Sequence, residues 1–298
     1  TYTEGCALAV RVAKAEETVA LARRSLTLVD ATTKAGYSDR RDLAAARAAL
    51  AQAEAALPQL VAERRAALYA LAFLTGDPPE AVSTDAAACT AVPGLAAPLP
   101  VGDGKALLAR RPDIRVAERQ LARDTERVGV AVAALYPSIR LLGTPSFGAT
   151  RPGDLGSSAS FGFSVGPLIS WNFPFNGAAR ARVRAAEADT EAALARFDAA
   201  VLDALQETEQ ALARLAGALA AEARLGEAAA AAAETARLTE ARYKAGSDDA
   251  LRLIAVQREW RAAEAAYAEA AGARAAAQVG VFRALGGGWE SDREPPGP

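Results

Sequence analysis

The chain has 298 residues, 80 of them alanine, with 6% aromatics, and its 34 basic and 36 acidic residues leave a net charge of −2. That length fits one large domain or two ordinary ones, and that composition calls for helix. Histidine is absent, which excludes imidazole general bases, Ser-His-Asp triads, Cys-His pairs and nearly every ordinary zinc or iron site, so no cofactor or metal is expected.

In chain order, residues 5 to 33 read as helix, with Leu8, Val12, Val19, Leu21, Leu26 and Val29 set among alanines and charges. Lys34-Ala35-Gly36-Tyr37-Ser38-Asp39 breaks it with a helix-stop glycine and an N-cap Ser or Asp. A second helix, carrying Leu43, Leu50, Leu57, Leu60 and Leu68, runs to about Leu74 and stops at Gly76-Asp77-Pro78-Pro79. Residues 77–104 are proline- and glycine-rich and read as a linker. Helix resumes from about Lys105 to Leu135. A helix of unusual length follows from about Asn176 to Lys244, its Leu194, Phe197, Val201, Leu205, Leu212, Leu215 and Leu219 stepping by threes and fours. At 1.5 Å per residue that is a rod on the order of 100 Å. A return helix ends at Leu285, before Gly286-Gly287-Gly288-Trp289, and residues 290–298 read as a disordered tail.

The second helical hairpin repeats the first. A shift of 210 puts Lys34-Ala35-Gly36 on Lys244-Ala245-Gly246, Leu43 on Leu253, Glu54 on Glu264, Arg64 on Arg274 and Gly76 on Gly286, without a gap. The expected organisation is a first-repeat helical hairpin over 1–76, an inter-repeat linker over 77–104 and a second repeat over 105–289. That second repeat holds a β-hairpin at about 136–174, a long helix over 176–245 and a return helix over 248–285. The chain starts at Thr1 and holds no methionine, so it is expected to be part of a longer product.

The one long non-helical region is patterned. Phe161, Phe163, Val165, Pro167, Ile169, Trp171 and Phe173 occupy odd positions, and small polar residues or glycine fill most even ones. Residues 136–147 alternate more roughly, and 150–158 would be the loop. A tilted membrane strand needs roughly 9–11 residues with an apolar outer face and aromatic girdles. Two readings fit: a lipid-facing strand pair, or a soluble hairpin lying on the helices. In lipid one hairpin cannot stand alone, because open edges are not tolerated there, so several chains or hairpins must contribute strands.

Other features carry ordinary readings. The arginine pairs at 23–24, 40–41, 64–65 and 110–111 are dispersed along helices, unlike a nucleic-acid footprint. Cys6 and Cys89 form no recognisable framework and are read as two unrelated free thiols. Glu16-Glu17, Asp248-Asp249 and Glu207/Glu209 read as helix-surface or first-turn charges. No stretch is long and apolar enough for a transmembrane helix.

Arg110-Arg111-Pro112-Asp113-Ile114-Arg115, followed by Ala117-Glu118-Arg119-Gln120-Leu121, resembles the start of the second repeat in TolC-like outer-membrane efflux proteins, closest to the OprM and NodT branch. Leu135-Tyr136-Pro137-Ser138-Ile139 resembles that family's helix-to-strand junction. Ser170-Trp171-Asn172-Phe173-Pro174-Phe175-Asn176-Gly177 resembles its strand-to-helix exit, Ala241-Arg242-Tyr243-Lys244-Ala245-Gly246 its hairpin tip, and Ala284-Leu285-Gly286-Gly287-Gly288-Trp289 its last helix end. The match runs from partway through the first repeat to the end of the second.

The resemblance implies a mainly helical chain with a transmembrane β-hairpin and long antiparallel coiled-coil helices. Three copies would build an outer-membrane barrel of twelve strands and a periplasmic helical tunnel in a Gram-negative bacterium. It implies passive export of drugs or other small molecules, delivered by an inner-membrane efflux pump through a periplasmic adaptor protein. The implied partners are two further copies, adaptor, pump and outer-membrane lipid, with no nucleic acid and no enzymatic activity. Adaptor contact falls on the tips, Ala35, Gly36 and Tyr37 with Ala245, Gly246 and Ser247. Two aspartates that the family often carries after the second tip are Arg252 and Ala255 here, and only Asp42, after the first tip, keeps the acidic character. These three are the periplasmic-entrance candidates, and Arg252 and Asp42 could pair across neighbouring hairpins. Lipid contact falls on Phe161, Phe163, Val165, Ile169, Trp171 and Phe173. The alternatives are a soluble alanine-rich coiled-coil scaffold, or a nonfunctional truncated copy of an efflux channel.

Overall fold

A computed structural model describes residues 1–94, 110–148, 150–154, 158–171 and 177–287. Helix α1 spans Tyr2–Lys34, α2 Arg40–Thr75 and the short α3 Thr84–Ala87. Helix α4 spans Pro112–Ala133, strands β1 and β2 span Ser138–Phe147 and Phe161–Ser170, and the long α5 (Ala178–Lys244) and α6 (Ala250–Ala284) follow. Phe173, much of the linker and the tail over 290–298 fall outside the described residues. The chain divides into two compact units, Thr1–Gly102 with Gln206–Pro298, and Asp103–Leu205.

In the first unit α1 packs on α2 along one flank and on α6 along the other. Its buried side chains are modest, Cys6, Ala7, Leu8, Val12, Val19 and Val29, and those of α2 are only Ala46, Ala67 and Ala72. Small side chains bring the helix axes close. A Cβ at Gly272 on α6 would stand 3.0 Å from the Ala7 Cβ on α1, so glycine is what fits there. The C-terminal part of α5 packs on α6 around Ala211, Val281 and Ala284. There a Cβ at Gly226 would meet the Tyr267 ring at 3.2 Å. The alanine excess thus becomes close side-by-side helix packing, with ion pairs Arg23–Glu54 (2.8 Å) and Arg274–Glu222 (2.7 Å) tying neighbours.

All four helix ends of the two hairpins stop in the same way. Gly36, Gly76, Gly246 and Gly286 each hold φ between 69° and 84°, the left-handed region. The next residue donates its N–H back to the carbonyl five before it: Tyr37 to Thr32, Asp77 to Ala72, Ser247 to Arg242 and Gly287 to Phe282, all at 2.9 Å. This is the Schellman stop, which glycine adopts without a Cβ clash.

One expectation is overturned. Cys6 and Cys89 are a disulfide, with Cα atoms 5.3 Å apart despite a separation of 83 residues, and no free cysteine remains. Residues after α2 double back through α3 onto the first turns of α1, a juxtaposition that no local sequence pattern encodes.

In the second unit, Thr190 on α5 donates its hydroxyl to the Asp124 carbonyl of α4 at 3.1 Å. The Asp124 carboxylate is buried and accepts from Arg123 (2.9 Å) and Arg127 (3.1 Å). The Arg123 hydrogen bond, ahead of the two guanidinium charges, holds that carboxyl below its usual range. Such a charge is tolerated beneath the surface because it is paired.

Candidate functional site

Strands β1 and β2 form a two-stranded antiparallel sheet with Ser138 opposite Ser170 and Phe147 opposite Phe161. In this register odd residues face odd residues. Residues directly opposite share a face, so Ile139, Leu141, Gly143, Pro145 and Phe147 join Phe161, Phe163, Val165, Pro167 and Ile169 on one surface. None of the ten is polar. The other surface carries Ser138, Arg140, Thr144 and Ser146 with Gly162, Ser164, Gly166 and Ser170, broken only by Leu142 and Leu168. The rougher alternation of β1 is therefore resolved by its partner.

Aromatic groups sit at both ends of the sheet. The Phe147 and Phe161 rings lie 5.4 Å apart at the loop end, where the Gly148 N–H donates to the Ser160 carbonyl at 2.8 Å. At the helix end, Trp171 donates its indole N–H to the Leu135 carbonyl at 3.2 Å, beside the exposed Tyr136. The apolar surface is open: Ile139 is 72% exposed, Leu141 75%, Phe163 65% and Ile169 66%. Each strand has ten residues, the length a tilted strand needs to cross hydrocarbon. No helix among the described residues is long and apolar enough to cross a membrane.

Ala35, Gly36 and Tyr37 form the first helical tip and Ala245, Gly246 and Ser247 the second, all six exposed, Tyr37 to 87%. Behind the first, Asp39 caps α2, accepting from the Arg41 and Asp42 N–H groups, while Asp42 accepts from the Asp39 N–H at 3.3 Å, closing a capping box. The Arg41 side chain, above all, together with these amide donors holds the Asp39 carboxyl below its usual range.

In the second tip Asp249 caps α6 through the Arg252 N–H at 2.7 Å, but Arg252 has only donors and cannot complete the box. Its guanidinium lies 3.9 Å from Asp248, which Arg242 grips at 3.0 Å. Within this chain Asp42 serves its own capping box and Arg252 lies nearest to Asp248. Ala255 is exposed on α6.

Above the tips, α1, α2 and α6 border an open trough of about 650 Å³, floored by alanines such as Ala22, Ala53 and Ala262 and bordered by Ala255. Lys14 and Arg261, which line it, form an ion-pair network with Glu17 and Glu264, Arg261 reaching Glu17 at 2.6 Å and Glu264 at 2.5 Å. Burial pushes the Glu17 carboxyl up, but Lys14 and Arg261 outweigh it and hold it below its usual range. No group of His, Cys, Asp or Glu among the described residues is arranged to hold a metal ion. The sequence carries no signal for the Arg242–Asp248–Arg252 cluster beyond the charges themselves.

The family described as "Outer membrane efflux protein" matches residues 104–287. The chain belongs to the outer membrane efflux protein family. It is 31% identical to outer membrane protein OprJ of Pseudomonas aeruginosa over 288 residues, covering 95% of this chain and 59% of OprJ. Its fold superposes on the outer-membrane channel OprN with a TM-score of 0.88 at 38% identity, over 97% of this chain and 64% of OprN. It superposes on the Neisseria gonorrhoeae MtrE outer membrane channel with a TM-score of 0.81 at 30% identity, over 97% and 66%. The chain thus has the fold of the TolC-like efflux channels and is an outer-membrane protein of the Gram-negative type. It spans about three fifths of the length of the relatives it matches.

Proposed function

We propose that this efflux-family chain supplies the outer-membrane channel of a tripartite efflux system. It passively exports drugs or other small molecules handed over by an inner-membrane pump through a periplasmic adaptor. The observation that carries this reading is the register of the hairpin, which gathers ten apolar or glycine positions on one face and, among the described residues, leaves both sheet edges unpaired. A surface of that kind is stable in lipid only within a closed barrel, so further strands complete it: the family's twelve come from three copies with four strands each, and this hairpin supplies two of a copy's four. Phe161, Phe163, Val165, Ile169 and Trp171 then face lipid, and Phe173 continues their sequence alternation. Two repeats, 1–76 and 105–289, joined by the 77–104 linker and followed by the 290–298 tail, supply the helices, and the matched Schellman stops 210 positions apart support that division. The chain conducts and does not catalyse.

The tips Ala35–Tyr37 and Ala245–Ser247 meet the adaptor, and Asp42, Arg252 and Ala255 border the periplasmic entrance. Arg252 is two-thirds exposed, which leaves its charge able to act on passing ions. Single-channel recording in planar bilayers tests both claims on the full chain as its gene encodes it. Discrete conductance steps are expected, with Arg252→Ala shifting selectivity toward cations. A membrane-inserted protein that conducts nothing would sink the channel reading. Unchanged selectivity and conductance in Arg252→Ala would remove the entrance role alone.

A further inference from the structure

The segment from Thr84 to Gly94 lies against α1 and α2 of the first unit, and its Gly94 end comes near α6. On α2, Arg64 donates from Nη2 to the Ala87 carbonyl at 2.6 Å. On α1, Cys6 is bonded to Cys89. On α6, a Cβ at Gly94 would stand 3.9 Å from Nη1 of Arg274, and Arg274 in turn grips Glu222 of α5 at 2.7 Å. Ala86, within this strap, is buried. The bridge cross-links the strap covalently to α1. The four-residue α3 cannot hold it alone, since helices that short are marginal without tertiary support.

We propose that Cys6–Cys89 is a maturation site, oxidised by a protein thiol–disulfide oxidant of the periplasm, and that the finished bridge rivets the strap across the helices as a spacing clamp. Disulfides form and persist in oxidising compartments, where an outer-membrane protein matures. Cys6 is 1% exposed while Cys89 is half-buried, so the two thiols have different duties. The Cys89 thiolate attacks one sulfur of the oxidant's disulfide, forming a mixed disulfide and expelling the oxidant's second sulfur as thiolate. The Cys6 thiolate then attacks the Cys89 sulfur, forming the bridge and releasing the oxidant as a dithiol. Two electrons pass to the oxidant and two protons leave the cysteines. The proposal goes beyond the channel reading and does not need it, because the bridge forms whether or not the chain conducts.

Alkylation of the full chain extracted from outer membranes, with and without prior reduction, reads the bridge directly. No thiol is expected to react before reduction and two after it, and cells lacking a periplasmic thiol oxidase are expected to yield reactive thiols. The clamp is read by limited proteolysis and thermal unfolding. Loss of the bridge is expected to open residues 77–94 to cleavage and to lower the midpoint by about 5–15 °C. Reducing the already folded protein gives the same readout as Cys89→Ser and serves if that variant does not fold. Two reactive thiols in the untreated protein would overturn the proposal while leaving the conductance test standing. A bridge formed fully without the oxidase would overturn the maturation route. Unchanged cleavage and melting after reduction would overturn the clamp.

Discussion

Val165→Arg is expected to strip the protein from the outer membrane, whereas Ser164→Arg, one residue away, leaves it there. Val165 stands midway along β2 on the face shared with Phe163 and Ile169, opposite Gly143. An arginine at the bilayer midplane on a lipid-facing strand costs about 2–4 kcal/mol. That is roughly a 30- to 1000-fold shift against the inserted state for each copy, and every copy in the assembly bears it. Ser164 lies on the opposite face with Thr144 and Ser146, where a charge would meet the polar interior of the proposed barrel. The readout is the amount of protein recovered from outer-membrane fractions with detergent. Equal recovery of the two variants would mean that the odd-numbered face does not meet lipid.

Ala211→Leu is expected to destabilise the helical layer by about 1–3 kcal/mol, the usual range for overpacking a filled site. Ala211 is buried against Val281 and Ala284, with Leu212, Leu215 and Leu285 closing the cluster. Three added carbons have no cavity to enter there and must push α5 from α6. Ala213, two residues on, is exposed, so Ala213→Leu is the matched control and is expected to change little. Thermal loss of the helical circular-dichroism signal in detergent separates the two. If Ala211→Leu melted no earlier than Ala213→Leu, close packing would not explain the alanine content.

Val165 sits in a pattern that consecutive residues spell out, whereas the burial of Ala211 depends on a helix 70 residues further along the chain. Elements set by local chemistry are legible in the same way as Val165. Gly36 and Gly246 each follow a helical run and precede a Ser-Asp or Asp-Asp cap, and both hold the left-handed conformation that a helix stop requires. The alternation from Phe161 onward names a strand and its apolar face, because period two is written in neighbouring residues. Features that join distant segments are not legible. Residues 138–147 look irregular because Leu142 and Arg140 interrupt them, and only the pairing with 161–170 shows which face they serve. Cys6 and Cys89 look unrelated because 83 residues of sequence say nothing of the fold-back through α3. Charge alone does not show that Asp42 serves a capping box or that Arg252 lies 3.9 Å from Asp248, since both contacts depend on how each turn folds.

In the proposed channel, strands from further hairpins and further copies complete the edges of this hairpin. Native mass spectrometry of the full chain, extracted from outer membranes in a mild detergent, counts those copies directly. Three chains per particle are expected, and conversion to monomer is expected to accompany Val165→Arg. A folded particle that contains one chain and remains in the membrane would contradict a shared barrel.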